Sequence, residues 1–292
     1  MKVLSCTFDL IKQLHLQSIK KILVGIAFSP NLKPNIFEAV RLANMFEAQL
    51  VGVHVGEKTT EKEQQLSELI SEAPILKLPI KTVWQKGKPV DIILQTSLEE
   101  NIDLLILGAL QQENLYKYYV GSVARELTRK AICSVLLLIK PSVERVKCNH
   151  IVVNGLKDKK TIETIQASFL VSKALACKRI TIVEEISQKE IEVIVSDDHS
   201  LRKATIEKEK LKRREDSRVH KILKTIDTKG ISIKIQSIFG KRGYSIGHYA
   251  KVKRADLLVM NAPSKTTILD RIFPHDIEYI LTELPTDVLI VK

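Results

Sequence analysis

Two doubly wound α/β domains in tandem are the fold this sequence predicts, and three observations predict it. Short apolar runs alternate with helical patterns along the whole chain. The second half repeats the first in register. At 292 residues the chain has room for two domains of ordinary size, each long enough to bury a core without disulfides or metals. Strands that alternate with helices form βαβ units, and the handedness of their crossovers gives a parallel sheet covered on both faces.

The elements follow in order. Residues 21–27 (KILVGIA) are apolar throughout, as a strand buried on both faces requires. Pro30, Asn31 and Pro34 punctuate a loop, and Phe37, Val40, Leu42 and Ala43 mark a helix. Residues 50–55 (LVGVHV) read as the second strand and 60–71 as a more polar helix. Residues 80–84 give a third strand, closed by Gly87-Lys88-Pro89. Val90, Ile93, Leu94, Ser97 and Leu98 then share one face of a helix. Residues 103–107 form the fourth strand, a loop runs to Gly121, a helix follows, and residues 134–139 form the fifth strand.

Residues 141–149 are a polar, basic linker, after which the pattern restarts. Strands are expected at 151–153, 179–183, 231–238, 256–260 and 287–291. Helices are expected at 160–176, at 246–254 and from His275. A charged insertion at 186–228 contains an elongated helix over 197–222. The domains are therefore an extension at 1–19, a first domain at 20–141 and a second at 150–292.

The internal repeat is the strongest signal. The stretch GKPVDIILQTSLEENIDLLILGA from Gly87 lies over GKRGYSIGHYAKVKRADLLVMNA from Gly240. Asp103 falls on Asp256, Leu104 on Leu257, Ala109 on Ala262, and the same register carries Gly121 onto Pro274.

Composition narrows the function. The net charge of +12 would attract polyanions, but it is spread among acids and few aromatics interleave with it, so nucleic acid is not the expected partner. No apolar run reaches the roughly 18–20 residues that span a bilayer. The apolar start of the chain is interrupted by Asp9 and Lys12 without a cleavage site, so a cytoplasmic protein is expected. Cys6, Cys133, Cys148 and Cys177 have neither zinc-ligand spacing nor C-x-x-C pairing, and no metal site is expected. Phosphate-loop, dinucleotide and hydrolase signatures are missing, which argues against an enzyme.

In an open parallel sheet, ligands bind beyond the carboxyl ends of the strands where strand order reverses. In the first copy that edge carries Gly108-Ala-Leu-Gln111, nine further residues, and Gly121-Ser122 at a helix start. Gly108 permits close backbone approach, and Gly121 and Ser122 offer N–H groups at the positive end of a helix. This spacing, with the five-strand pattern, resembles the universal stress protein family and its G-x2-G-x9-G-[S/T] motif. The likeness covers essentially the whole chain as a tandem pair. It implies a Rossmann-like fold of the adenine nucleotide alpha hydrolase type, strand order 3-2-1-4-5, and ATP, with Mg, as candidate cofactor. Gly108, Gln111, Gly121 and Ser122 would cradle ribose and phosphates, with Val53 and Val55 lining the base pocket. Ala27 stands where the family has an acid for the adenine. The second glycine is replaced by Gln111. Losing the acid would weaken binding about tenfold.

The second copy departs further, with Asn261, Ser264 and Pro274-His275 at the matching positions. Either Asn154 or Leu156 ends its first strand at the acid's place. His275-Asp276 reads as a helix cap and His248-Tyr249 as bland helix residues rather than catalysts, while Tyr116, Tyr118 and Tyr119 could stack on a base, pack on a partner or contact the other copy. The family's subunits pair through fifth strands, so strands 134–139 and 287–291 could pair within the chain as a pseudo-dimer, and a homodimer stays open. The leading expectation is a stress-associated, non-catalytic small-ligand binder with any nucleotide in the first copy. Two alternatives stand beside it: a nucleotide-independent interaction module, in which the charged insertion docks a protein partner, and a slow ATP hydrolase.

Overall fold

A computed structural model of the chain describes residues 18–111, 118–191, 196–262 and 276–292. It divides into two compact units, residues 1–147 with 287–292, and residues 148–286. The N-terminal extension before residue 18 lies outside the described residues. No described helix is long and apolar enough to cross a membrane.

Unit 1 runs β1 (Lys21–Gly25), α1 (Leu32–Phe46), β2 (Gln49–Val55), α2 (Thr60–Glu72), β3 (Lys81–Gln85), α3 (Pro89–Glu99) and β4 (Leu104–Gly108). It continues with β5 (Leu110–Gln111), β6 (Tyr118–Tyr119), α4 (Ser122–Lys130) and β7 (Ser134–Leu138). Its parallel strands lie in the order β7-β4-β1-β2-β3, the doubly wound order expected. Ile22, Leu23, Leu50, Leu105 and Ile106 have no exposed surface. Each contributes roughly 1.5–3 kcal/mol by leaving water, which explains why the strands are unbroken apolar runs.

Unit 2 runs β8 (Ile151–Asn154), α5 (Thr161–Ala174), β9 (Arg179–Ser187), α6 (Asp198–Leu223), β10 (Ser232–Gly240), α7 (Tyr244–Val252), β11 (Leu257–Asn261) and α8 (Asp276–Glu283). The parallel order is β10-β9-β8-β11. The charged insertion is the 26-residue helix α6, started by a capping box between Asp197 and Ser200. Its inner face buries Ala204, Glu215 and Val219.

The repeated aspartates do one structural job twice. The Asp103 carboxylate accepts from the backbone N–H of Lys20 and Lys21 at 2.8 and 2.9 Å. Asp256 accepts from Asn149 and His150 at 2.7 and 2.9 Å. Each carboxylate ties the entry of the first strand to the entry of the fourth, satisfying donors that no neighbouring strand reaches.

Two expectations change. Pro34 lies inside α1, not in the loop before it; a first-turn N–H has no helical partner, so its loss is tolerated there. The stretch between Gly108 and Gly121 is not wholly a loop, because Leu110 pairs with Tyr119 and Gln111 with Tyr118 in a short antiparallel ribbon. The last strand, β12 (Asp287–Val291), groups with unit 1. It pairs antiparallel with β7, Val288 opposite Leu137 and Ile290 opposite Val135. Its Asp287 carboxylate accepts from the Ile139 N–H at 2.7 Å.

Candidate functional site

The C-terminal edge of unit 1 gathers most of the residues singled out from sequence. β1 and β4 are parallel neighbours in register, so both end on this edge, beside Gly25 and Gly108. Gly108 is needed for space. A Cβ there would stand 2.6 Å from Asn35 Nδ2 and 2.8 Å from its Oδ1. Asn35 sits in the first turns of α1, and its Oδ1 is buried without a hydrogen-bond partner among the described residues. A buried carbonyl oxygen left unpaired costs about 1–3 kcal/mol, so this one is poised to accept from a donor that enters the edge.

Gly121 is the N-cap of α4, with φ −61° and ψ 161°. The ribbon's Leu110 lies 3.0 Å from where a Gly121 Cβ would be, so the glycine lets the ribbon close on the helix start. Ser122 is exposed as the first residue of α4, whose first turn carries no acid. Gln111 lies in the ribbon opposite Tyr118. Ala27, exposed, follows β1, and its carbonyl accepts from the Ser29 N–H at 2.7 Å. Val53 departs from expectation: its side chain is core, 1% exposed, and only its carbonyl faces the edge, accepting from the Ile26 N–H at 2.8 Å. Val55 is partly exposed at the end of β2.

Sequence reasoning missed an aromatic group on the same edge. Phe28, His54 and Trp84 follow or end β1, β2 and β3, and meet there. Phe28 and His54 are edge-on with ring centroids 4.9 Å apart, His54 and Trp84 are 5.0 Å apart, and Phe28 lies 6.2 Å from Trp84, near-parallel to it. His54 Nδ1 bonds the Ile26 carbonyl at 2.9 Å. A carbonyl only accepts, so Nδ1 carries a proton, and Nε2 lies 3.4 Å from Lys62 Nζ. The ammonium of Lys62 also stands 5.6 Å over the Phe28 ring. The available signal was register: His54 and Trp84 are paired directly across β2 and β3.

Unit 2 has different chemistry at the same positions. The registers of β8 with β9 and β11 place Leu156 at the position of Ala27, Glu184 at that of His54, and Asn261 at that of Gly108. Asn154 is not a free acid substitute, because its Oδ1 accepts from the Leu156 N–H at 3.0 Å. Asn261 puts a side chain where Gly108 has none, its Nδ2 donating to Asp158 at 3.3 Å. Arg218 of α6 donates to the Gly155 carbonyl just past β8. Ser264, Pro274 and His275 lie outside the described residues, as does Tyr116.

The remaining candidates are packing residues. His248 is exposed and stacks on Tyr244 at 6.5 Å. Cys133, Cys148 and Cys177 are free thiols, and no cluster of three or more metal-ligating side chains occurs among the described residues.

Residues 18–138 match the universal stress protein family. A universal stress protein of Methanocaldococcus jannaschii is 25% identical over 125 residues, covering 36% of this chain and 74% of that protein. The fold is similar to the solved structure of a putative universal stress protein from Pseudomonas aeruginosa, with a TM-score of 0.67, 17% identity and 95% of each chain covered. It is similar also to a universal stress protein from Archaeoglobus fulgidus, with a TM-score of 0.67, 16% identity, and 93% of this chain and 98% of that one covered. At these identities the structures speak for the fold.

Proposed function

We propose, from the premise that residues 18–138 match the universal stress protein family, that unit 1 is a stress-associated sensor that binds an adenine nucleotide without turning it over. The observation that carries the reading is the Asn35 carboxamide packed directly on Gly108 at the strand end, with its buried Oδ1 left without a hydrogen-bond partner among the described residues. A ribose hydroxyl is a donor of the kind that this oxygen lacks. The start of α4 at Gly121 and Ser122 supplies N–H groups and a positive helix end for phosphate. Phe28 and Trp84 offer aromatic surface for a base, offsetting part of what the missing acid at Ala27 would contribute. ATP, with Mg, or AMP is the ligand class. The described groups around Gly108 are a carboxamide and backbone rather than a nucleophile beside a base, which favours binding over hydrolysis.

Trp84 is the only tryptophan in the chain and stands at this edge. Titration with Mg-ATP and AMP, followed by Trp84 emission and by calorimetry, tests the reading. One site per chain and a shifted emission are expected. Gly108→Val, which would press on Asn35, and Gly121→Pro, which keeps a proline-compatible φ but removes an N–H, are each expected to weaken binding about tenfold or more. No binding at millimolar nucleotide would overturn the function, and unchanged affinity in both variants would overturn the site.

A second reading is an interaction module that works without nucleotide. It is favoured by α6, along which Arg202, Lys203, Lys208, Lys212 and Arg213 are exposed on one long helix. Co-purification of a protein partner that is lost when these residues are replaced by Ser, with no nucleotide bound, would make it the better account.

A further inference from the structure

Unit 2 contains a cavity of about 220 Å³ beyond the ends of β8 and β9, roofed by α6. That is below the roughly 300–1,000 Å³ of pockets that hold drug-sized ligands, so a small molecule suits it. Its floor is acidic. Glu184 is 2% exposed, its Oε2 accepts from the Ser237 hydroxyl at 3.0 Å, and its Oε1 is buried with no hydrogen bond among the described residues. Arg218, 3.5 Å from that oxygen, is shared with Glu215 at 2.8 Å and with the Gly155 carbonyl. Glu185 is already met by the N–H groups of Gly243 and Ile246 at 2.9 and 2.7 Å, where α7 begins.

The exposed lining carries Glu190 and Arg214, which pair with each other at 3.2 Å, and two further cations. Lys157 and Arg242 line the cavity, are exposed, and have no ion-pair or hydrogen-bond partner for their side chains among the described residues. The cavity therefore presents a buried acceptor inside and unpaired cations at its mouth. An ammonium brings three donors and a positive charge to Glu184, while a carboxylate on the same small molecule reaches the rim. A simple anion would meet the Glu184 floor, and a simple amine would leave the rim unanswered.

We propose that this cavity binds a small zwitterion of the amino-acid class, its ammonium on Glu184 and its carboxylate at Lys157 and Arg242. Burial pushes the Glu184 carboxyl up to about 7, against the opposing pull of Ser237 and Arg218. A cation supplied by the ligand relieves that burial and holds the carboxylate charged.

The test is thermal-shift screening of the full chain against the small proteinogenic amino acids at millimolar concentration, followed by calorimetry. At least one is expected to bind. Glu184→Gln, which keeps the Ser237 bond, and Arg242→Ala, at an exposed position, are each expected to weaken it about tenfold or more, while Gly108→Val in unit 1 leaves it unchanged. No stabilisation by any of them would overturn the proposal, as would binding indifferent to both Glu184→Gln and Arg242→Ala. Loss of ATP binding, rather than amino-acid binding, in Glu184→Gln would also overturn it.

Discussion

Glu184 shows how one residue sets two properties of unit 2. Its carboxyl is raised to about 7 by burial, next to Arg218 and Ser237, with Glu215 and Asp216 adding repulsion. The folded protein then binds more protons than the unfolded chain from the ordinary carboxylate range up to about 7. Its stability is therefore fully present below that ordinary range and falls as pH rises to about 7. Glu184→Gln removes the titration. The variant is expected to be more stable than the parent at pH 8, by up to about 3 kcal/mol, with a flatter profile between pH 5 and 7. Urea melts across that range check it. At the equivalent position of unit 1, His54 sits in an aromatic group instead, so one register position yields a stacking surface in one unit and a charged cavity in the other.

At the scale of an element, α6 is the helix that the repeat does not predict. Its sequence reads as a solvated charged helix, and the outer face is that. The inner face is not, since Val219 has no exposed surface and Glu215 is held by Arg214 and Arg218 at 2.9 and 2.8 Å. Val219→Ala is expected to cost about 2 kcal/mol and to speed hydrogen exchange along the second half of α6. It should also weaken amino-acid binding in the cavity that α6 roofs. The same dependence makes deletion of residues 197–218 more damaging than removal of a surface appendage, because Arg218 would leave Glu184 and Gly155 behind.

At the scale of the molecule, the chain returns its final strand to the unit it started with. Val288, Leu289 and Ile290 of β12 are buried, and the Lys292 N–H bonds the Ser134 hydroxyl at 3.3 Å. Ile290→Ala is expected to cost about 3 kcal/mol, and circular dichroism melts with Trp84 emission should report the loss in unit 1. The first unit thus depends on a segment that arrives after all of unit 2 has been made.

The α/β class, the doubly wound strand order and the glycines that end β4 and cap α4 were legible in the sequence alone. They rest on local quantities, the period of apolar residues and the spacing of glycines, which a chain carries before it folds. The paired Asp103 and Asp256 were visible for the same reason, although their task of tying strand entries was not. What only the tertiary structure decided joins residues far apart in the chain. Phe28, His54 and Trp84 meet because three parallel strands end on one edge. Leu156 rather than Asn154 takes the acid's place because strand register, not sequence spacing, places it there. Glu184, Arg218 and Arg242 form a cavity because an inserted helix lies over the end of a strand. No local pattern encodes such meetings, since the desolvation that gives them their chemistry exists only once the core has closed.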